Sequence, residues 1–302
     1  MPSDHESRAP GGRNRLAERL AELTPLPGVT PSRLDGVTLF RAEASLPRHP
    51  MVYTPSILIV GQGRKRVHLG ERAYVYDPYN YLVLSVPLPV ECETEASPEE
   101  PLLGLTIAVD PATLGKLLLE MGDEARSAAA VCGLCSTPLT IPLADATLRL
   151  LDCLGSPEES RILGRQIVRE ITYRVLREEP GRALRALAAR RGNFSQIARV
   201  LRRVHQEYDT ELDVEALASE AHMSVSAFHH NFKAVTSTSP LQYLKSIRLH
   251  KARLLMVQEG LNAGTAAQRV GYVSPSQFSR EFKRFFGATP SEETGRMRAQ
   301  AG

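Results

Sequence analysis

Seven residues near the C-terminus occur twice, fifty positions apart. Ser224, Ser226, Phe228, Phe232, Lys233, Ser239 and Pro240 return as Ser274, Ser276, Phe278, Phe282, Lys283, Thr289 and Pro290. A short pattern repeated at one offset implies a single small helical unit used twice. In each copy the phenylalanines are four residues apart, so on a helix they share one face and anchor it to a core. The opposite face is left polar and basic. A helix rich in small residues, a tight turn and a second helix of this kind make the layout of a helix-turn-helix.

In the first copy, Val214–Ala221 is expected as the leading helix, with Leu217 and Ala218 inward. His222-Met223-Ser224 is the turn, and Ser224–Thr236 is the second helix. Its outer face carries Ser226, His229, His230 and Lys233. In the second copy, Thr265–Val270 leads and Gly271 turns, because glycine takes positive φ without strain. Ser274–Phe286 follows, anchored by Phe278, Phe282 and Phe286 and showing Ser276, Gln277, Arg280, Lys283 and Arg284. Arginine and glutamine match the edges of guanine and adenine in the major groove. Gln277 and Arg280 are therefore candidate base contacts, and His229 and His230 are either base contacts or simply exposed polar residues. Lys233, Lys283 and Arg284 are candidates for phosphate, since backbone contacts outnumber base contacts.

Between the copies, Ser239 caps and Pro240 opens a helix expected to run to about Val257. At ~1.5 Å per residue it spans roughly 27 Å. One face of a duplex recurs every ~34 Å, so a stiff spacer of this size can set two reading helices about one turn apart. Lys245, Arg248, Lys251 and Arg253 on it are further candidates for phosphate.

Charge agrees with this reading. The chain of 302 residues has a net charge of only +3. Residues 1–193 carry 23 basic and 24 acidic side chains, whereas 224–286 carry nine against two. The basic charge sits on the repeat, as an electrostatic footprint for phosphate requires.

The length suggests two domains. Residues 1–12, full of Gly, Pro and Ser, are expected to be disordered, and Asn14–Leu23 to form a short amphipathic helix. From Val37 to Val109 the chain reads as short strands rich in Val, Ile, Leu and Tyr, punctuated by Gly, Pro, Asp and Asn, which argues for a small antiparallel barrel or sandwich. Asp110 then caps a helix opened by Pro111. Helices are expected at 142–156 and 158–178, the second with an apolar stripe of Leu163, Ile167, Ile171 and Val175 that is the candidate dimer face. A basic connector at 182–193 precedes the helical region. The fold class is α+β: a small β-barrel with helices, then an all-α domain. The polar N-terminus shows no signal-peptide pattern, the apolar runs are too short to span a bilayer, and four cysteines are too few for a disulfide framework. A cytoplasmic location with no membrane partner is expected.

Residues 194–298 resemble the AraC/XylS-type DNA-binding domain through LASEAHMSVSAFHHNFK, SPLQYLKSIRLHKARLLM and AAQRVGYVSPSQFSREFKRFFGATPSE. Residues 13–181 are similar to the cupin-like effector domain of one AraC subgroup through YTPSILIVGQGRKRVHLGERAYVYDPYNYLVLSVPLPVE and the segment ASPEEPLLGLTI. The resemblance implies a transcriptional regulator whose two units enter adjacent major grooves of double-stranded DNA, with Ser226, His229 and His230 of the first unit and Ser276, Gln277 and Arg280 of the second facing the bases. It also implies a small-molecule effector inside the barrel, a homodimer through the helices that follow, and RNA polymerase as a partner if the protein activates.

Effector-pocket candidates among the barrel residues are Tyr53, Arg64, His68, Tyr74, Tyr76 and Tyr81, which suit a mostly apolar molecule with a few polar handles. Two other readings compete. A metal-dependent cupin enzyme needs an HxH pair with a later Glu and His, but His68 stands alone and His49 lies apart, so neither a metal site nor a cofactor is expected. Cys132 and Cys135 form a lone CxxC that would suit a thiol redox switch, or simply two small residues in a loop. Gly61-Gln62-Gly63 precedes no helix and is a weak nucleotide signal.

Overall fold

A computed structural model describes residues 10–122, 133–179, 181–188 and 192–301. Its first part is a two-sheet sandwich. One sheet has six strands, β1 (Gly28–Pro31), β2 (Val37–Ala42), β9 (Leu102–Ala108), β4 (Ser56–Gln62), β7 (Asn80–Leu84) and β10 (Leu134–Pro138), in that spatial order. The other has four, in the order β3 (Leu46–Tyr53), β8 (Leu88–Glu95), β5 (Arg64–Leu69) and β6 (Arg72–Tyr76). All the pairings are antiparallel.

Alternation along the strands assigns each side chain to a face. Leu58, Val60, Leu82, Leu84 and Leu102 of the large sheet meet Val67, Leu69, Tyr76, Leu88, Val90 and Cys92 of the small one. The other face of the large sheet, with Ile57, Ile59, Tyr81, Val83, Leu103, Leu105 and Ile107, is covered by helices. These are α1 (Pro10–Leu23), α2 (Pro111–Glu120), α3 (Ile141–Leu154), α5 (Gly164–Arg177) and α6 (Gly181–Ala188). Asp110 caps α2 by accepting from the amides of Ala112 and Thr113.

Five sequence expectations change here. The helix expected over 158–178 breaks into α4 (Pro157–Ile162) and α5 at Leu163, where Gly164 is pressed against Leu34. Leu163 consequently projects outward, 45% exposed, Ile167 is half-buried, and Ile171 and Val175 are fully buried in the helix–sheet core. The four cannot form one dimer face, because the large sheet already occupies the inner half of that stripe. The connector segment carries α6, whose Ala183 and Leu184 are buried. Cys135 lies on β10 opposite Val83 rather than in a loop, while Cys132 lies outside the described residues. Strand β3 escaped the sequence reading because Pro47 and Pro50 interrupt it; it is an edge strand, the place where proline is tolerated.

The second part is helical. α7 (Asn193–Gln206) leads to a first unit, α8 (Val214–Glu220) and α9 (Val225–Thr236). The long α10 (Pro240–Gln258) connects it to a second, α11 (Ala263–Arg269) and α12 (Pro275–Phe286), closed by α13 (Pro290–Ala301). At its 19 residues α10 is ~28 Å long. Phe228, Phe232, Phe278 and Phe282 are all fully buried.

The two units are built into the molecule differently. The first shares one continuous core with the sandwich: Phe228, Phe232, Val235, Tyr243, Leu244 and Ile247 join Leu84, Val86, Leu88 and Leu134. The second has a core of its own, with Leu249, Ala252, Met256, Ala266, Ala267, Val270 and Tyr272 around its phenylalanines. Tyr243 is the pivot of the first. Its ring lies edge-on to Phe232 at 5.4 Å, and its hydroxyl donates to the Pro87 carbonyl at 2.6 Å. The hydroxyl has one proton, so His205 Nε2, 2.9 Å away, must be the donor to it. Burial, helped by nearby Lys251, pushes the His205 imidazole down to about 4, consistent with a neutral ring protonated on Nε2. A second tie links the Gly133 amide to the Val235 carbonyl at 3.4 Å, satisfying one of the orphan acceptors at the end of α9.

Two outcomes follow. His205 titrates near 6.5 when unfolded and near 4 when folded, so the unfolded chain binds the extra proton and stability falls as pH falls between those values. Going from about pH 7 to about pH 5 should lower stability by about 2 kcal/mol through this group, seen in thermal melts and reduced in His205→Gln. Tyr243→Phe leaves the Pro87 carbonyl and His205 unpaired and should cost about 1–3 kcal/mol, with calorimetry resolving the sandwich and the helical part as separate transitions.

Candidate nucleic-acid interface

α9 and α12 each begin at a serine cap. Ser224 accepts from the Ala227 amide and Ser274 from the Gln277 amide, so both helices start at a fixed residue. The turns before them are not identical. Asp213 and Asn262 cap the leading helices 49 residues apart, while the serine caps are fifty apart. The second turn thus holds one extra residue, and Val273 takes it, 99% exposed. Gly271 in that turn has φ of 83°, and a Cβ there would sit 2.6 Å from the Asp209 carbonyl, so only glycine fits.

With the phenylalanines inward, Ser226, His229, His230 and Lys233 of α9 and Ser276, Gln277, Arg280, Lys283 and Arg284 of α12 are all exposed. Gln277 is exposed yet held: its Nε2 donates to Glu281 Oε1 at 3.1 Å. Glu281 also accepts from Lys245 Nζ at 2.9 Å and from the Tyr272 hydroxyl at 2.8 Å. Burial pushes the Glu281 carboxyl up, but its bonds from Lys245, Gln277 and Tyr272 outweigh this and hold it below the ordinary carboxylate range.

The cations of α10 do not behave as expected. Arg248 donates to the carbonyls of Tyr208 at 2.7 Å, Gly271 at 3.1 Å and Thr210 at 2.8 Å. It clamps the second unit's turn to the loop after α7 and has no fork left for phosphate. Arg253 pairs with Glu293 at 3.1 Å, stacks 4.6 Å over the Phe286 ring and is 13% exposed. Lys245 is tied to Glu281, and Lys251 lies half-buried over the Tyr208 ring at 5.4 Å. The reason is that α10 is enclosed by both units; its buried residues, Tyr243, Leu244, Ile247, Leu249, His250, Ala252 and Met256, lie all around the helix. Its cations are drawn into internal partnerships, leaving Lys233, Arg280, Lys283 and Arg284 as exposed cations of α9 and α12.

The effector-pocket candidates also separate by face. Tyr53 and Tyr76 lie between the sheets with their hydroxyls 3.0 Å apart, and Tyr74 packs beside them, half-buried. Tyr81 points the other way, into the helix-covered core. Arg64 and His68 stand on the outward face of the small sheet, where β5 and β8 pair Arg64 with Glu95, Arg66 with Glu93 and His68 with Glu91. Their place is a charge ladder, with Arg66 3.2 Å from Glu93 and His68 3.6 Å from it. Among the described residues no group of three or more His, Cys, Asp and Glu could hold a metal ion.

Lys65 went unnoticed in the sequence. In the run Arg64-Lys65-Arg66 it looks like one more surface charge, yet alternation places it on the inward face with Val67 and Leu69. Its ammonium lies 5.6 Å over the Tyr53 ring, near the Cys92 thiol, and among the described residues no carboxylate pairs with it. Burial lowers its pKa, and burial raises that of Cys92. The alternation of β5 was the signal that could have found it.

Comparison with known proteins fits this arrangement. The sequence profile described as AraC-type transcriptional regulator N-terminus matches residues 33–183, half of the chain, and that of a helix-turn-helix domain matches 217–296. The RCS-specific HTH-type transcriptional activator RclR of Escherichia coli (strain K12) is 43% identical over 88 residues, 29% of this chain and 31% of that protein. The HTH-type transcriptional regulator AlkR of Acinetobacter baylyi (strain ATCC 33305 / BD413 / ADP1) is 35% identical over 95 residues, 32% of this chain and 31% of its own. This chain thus spans about a third of the length of the curated relatives it matches. Across nearly the whole fold, ToxT of Vibrio cholerae superimposes with a TM-score of 0.57, covering 85% of this chain and 97% of that one at 12% identity. Another ToxT structure, bound to (E)-4-(8-methylnaphthalen-1-yl)but-3-enoic acid, gives 0.56 over 85% and 97%, also at 12% identity. At such identity the likeness is one of fold. Among the described residues no helix is long and apolar enough to cross a membrane.

The exposed and the internal cations should behave differently on substitution. Lys283→Ala should flatten the salt dependence of DNA binding by about one unit of slope without changing sequence preference. Arg280→Ala should relax preference at one base pair and weaken specific binding by about 1–3 kcal/mol. Arg248→Ala should leave the slope unchanged and lower thermal stability by about 1–3 kcal/mol, because it removes bonds to three carbonyls.

Proposed function

Since the chain belongs to the AraC-type transcriptional regulators, we propose that it binds double-stranded DNA with α9 and α12 in successive major grooves, under the control of a small molecule held between its sheets. One observation carries the reading: two serine-capped helices with exposed polar and basic faces stand on either side of a single stiff helix that has no outward charge of its own to offer. Arg280 and Gln277 read bases in the second groove, and Ser276 lies beside them. Ser226, His229 and His230 face bases in the first, while Lys233, Lys283 and Arg284 hold phosphate. The site is non-catalytic; its work is binding. The regulator acts in the cytoplasm as a homodimer, which recruits RNA polymerase where it activates.

The effector reading rests on Lys65. A half-buried ammonium facing phenols and a thiol, with no carboxylate partner among the described residues, is costly unless an anion meets it. An acidic small molecule with an apolar body would supply that anion and the contacts of Tyr53, Tyr74 and Tyr76. Its binding would reach α9 through the shared core, through Tyr243 and through the Gly133–Val235 bond, favouring one of two arrangements of the first unit.

Selection of binding sequences from random duplexes should yield one motif of two half-sites about one turn apart; recovery of no motif would overturn the DNA reading. For the effector, thermal shift with a panel of aryl-alkenoic acids and their amides should show stabilisation by acids only, about 2.7 kcal/mol at a hundredfold excess over Kd. Lys65→Met should abolish it. Equal response to acids and amides would remove the anion from the account.

A further inference from the structure

We propose that Glu281 is a positioning residue for base recognition: it holds the Gln277 carboxamide in one orientation and keeps Lys245 off the phosphate backbone, giving the second unit selectivity rather than charge. The proposal rests on the reading of α12 as a groove-entering helix.

The geometry is a short chain from core to surface. Tyr272 is 7% exposed and packs edge-on to Phe278 at 5.3 Å, so its hydroxyl is fixed by the core of the second unit. That hydroxyl donates to Glu281 Oε2 at 2.8 Å. Glu281 Oε1 accepts from Lys245 Nζ at 2.9 Å and from Gln277 Nε2 at 3.1 Å. The side chain of Glu281 is only 13% exposed although it sits on the reading helix. Both of its oxygens are engaged, and its charge is matched by Lys245, so an acidic group can lie beside a duplex without presenting a bare negative charge to it.

The consequence falls on Gln277, one turn earlier on α12. A free glutamine amide flips between two faces, and each flip exchanges donor and acceptor. Here Nε2 is turned toward Glu281, so Oε1 and the remaining N–H are presented in one sense. Adenine is read by a side-chain amide that gives one acceptor and one donor together. A fixed amide offers that pair without first being ordered.

The first unit has no such device. The position matching Gln277 is Ala227, and the position matching Glu281 is Asn231. Asn231 turns its amide to the Ala227 carbonyl at 2.8 Å and accepts from Asn193 of α7 at 3.1 Å, so it serves the helix and its neighbour rather than the surface. The half-site read by α12 should therefore be the more stringent of the two.

The test uses the full-length protein with duplexes carrying every single-base change of its selected site. Q277A first defines the base pair that Gln277 reads. E281A should reduce the preference at that pair from about tenfold or more to nearly none. It should also strengthen binding to scrambled duplex, with a salt slope steeper by about one as Lys245 is released to phosphate. E281Q keeps the acceptor for Gln277 but loses the charge: it should retain the base preference and show the same steeper slope. E281A retaining a preference that Q277A loses would overturn the positioning role. An unchanged slope in E281Q, a near-isosteric variant, would overturn the role toward Lys245 even if E281A fails to fold. If Q277A alters no base preference, the reading of α12 itself fails, and the proposal with it.

Discussion

The burial of one tyrosine ties this molecule together. Tyr243, at the end of the first turn of α10, packs its ring against Phe232 of α9 and gives its only proton to the Pro87 carbonyl of the sandwich. A phenol removed from water must find partners; this one accepts from His205 of α7 and donates to the sandwich. α9, the first half of α10 and the inner faces of both sheets therefore share one core, and α10 runs on from it into the core of the second unit. The Gly133–Val235 bond works in the same sense, since an amide of the sandwich completes the end of α9. A change between the sheets has a short path of packed side chains to the first unit. The second has a separate core and meets the rest of the molecule through α10, the loop after α7 and the side of α12 that lies against β3.

The repeat conceals a division of labour. Both copies bury a phenylalanine pair and cap with serine, so both form the same scaffold. Everything attached to that scaffold differs. The first copy is fused to the sandwich and shows two histidines; the second shows arginine and a braced glutamine and carries an extra residue, Val273, in its turn. Arg248 holds that longer turn in place from the spacer. Duplication supplied two helices, and the neighbours of each then set what each can do.

Much of the helical part was legible because its signals are local. Phenylalanines four apart, serine caps and a glycine that needs positive φ act over a few residues, and the structure places Phe228, Phe232, Phe278, Phe282, Ser224, Ser274 and Gly271 accordingly. The strands were legible where alternation was uninterrupted and missed where proline broke it, as in β3. What could not be read were partnerships across sequence. Arg248 and Arg253 look like phosphate ligands until the carbonyls and the carboxylate that occupy them are seen. Tyr81, Arg64 and His68 look alike in the sequence to residues between the sheets, yet the topology sets Tyr81 under the helices and Arg64 and His68 on the outer face of the small sheet. Lys65 was lost for the opposite reason, its inward position masked by charged neighbours.

The central claim is that α10 holds two reading helices at one fixed separation on a single duplex. The most direct measurement is the affinity of the full-length protein for its selected site with extra base pairs inserted between the half-sites. Because the spacer is a continuous helix packed at both ends, insertion of about half a turn and insertion of a full turn (~10 bp) should both reduce binding to that of one half-site alone. Restoration of full affinity at the full-turn insertion would mean that the units move independently, and would contradict the account.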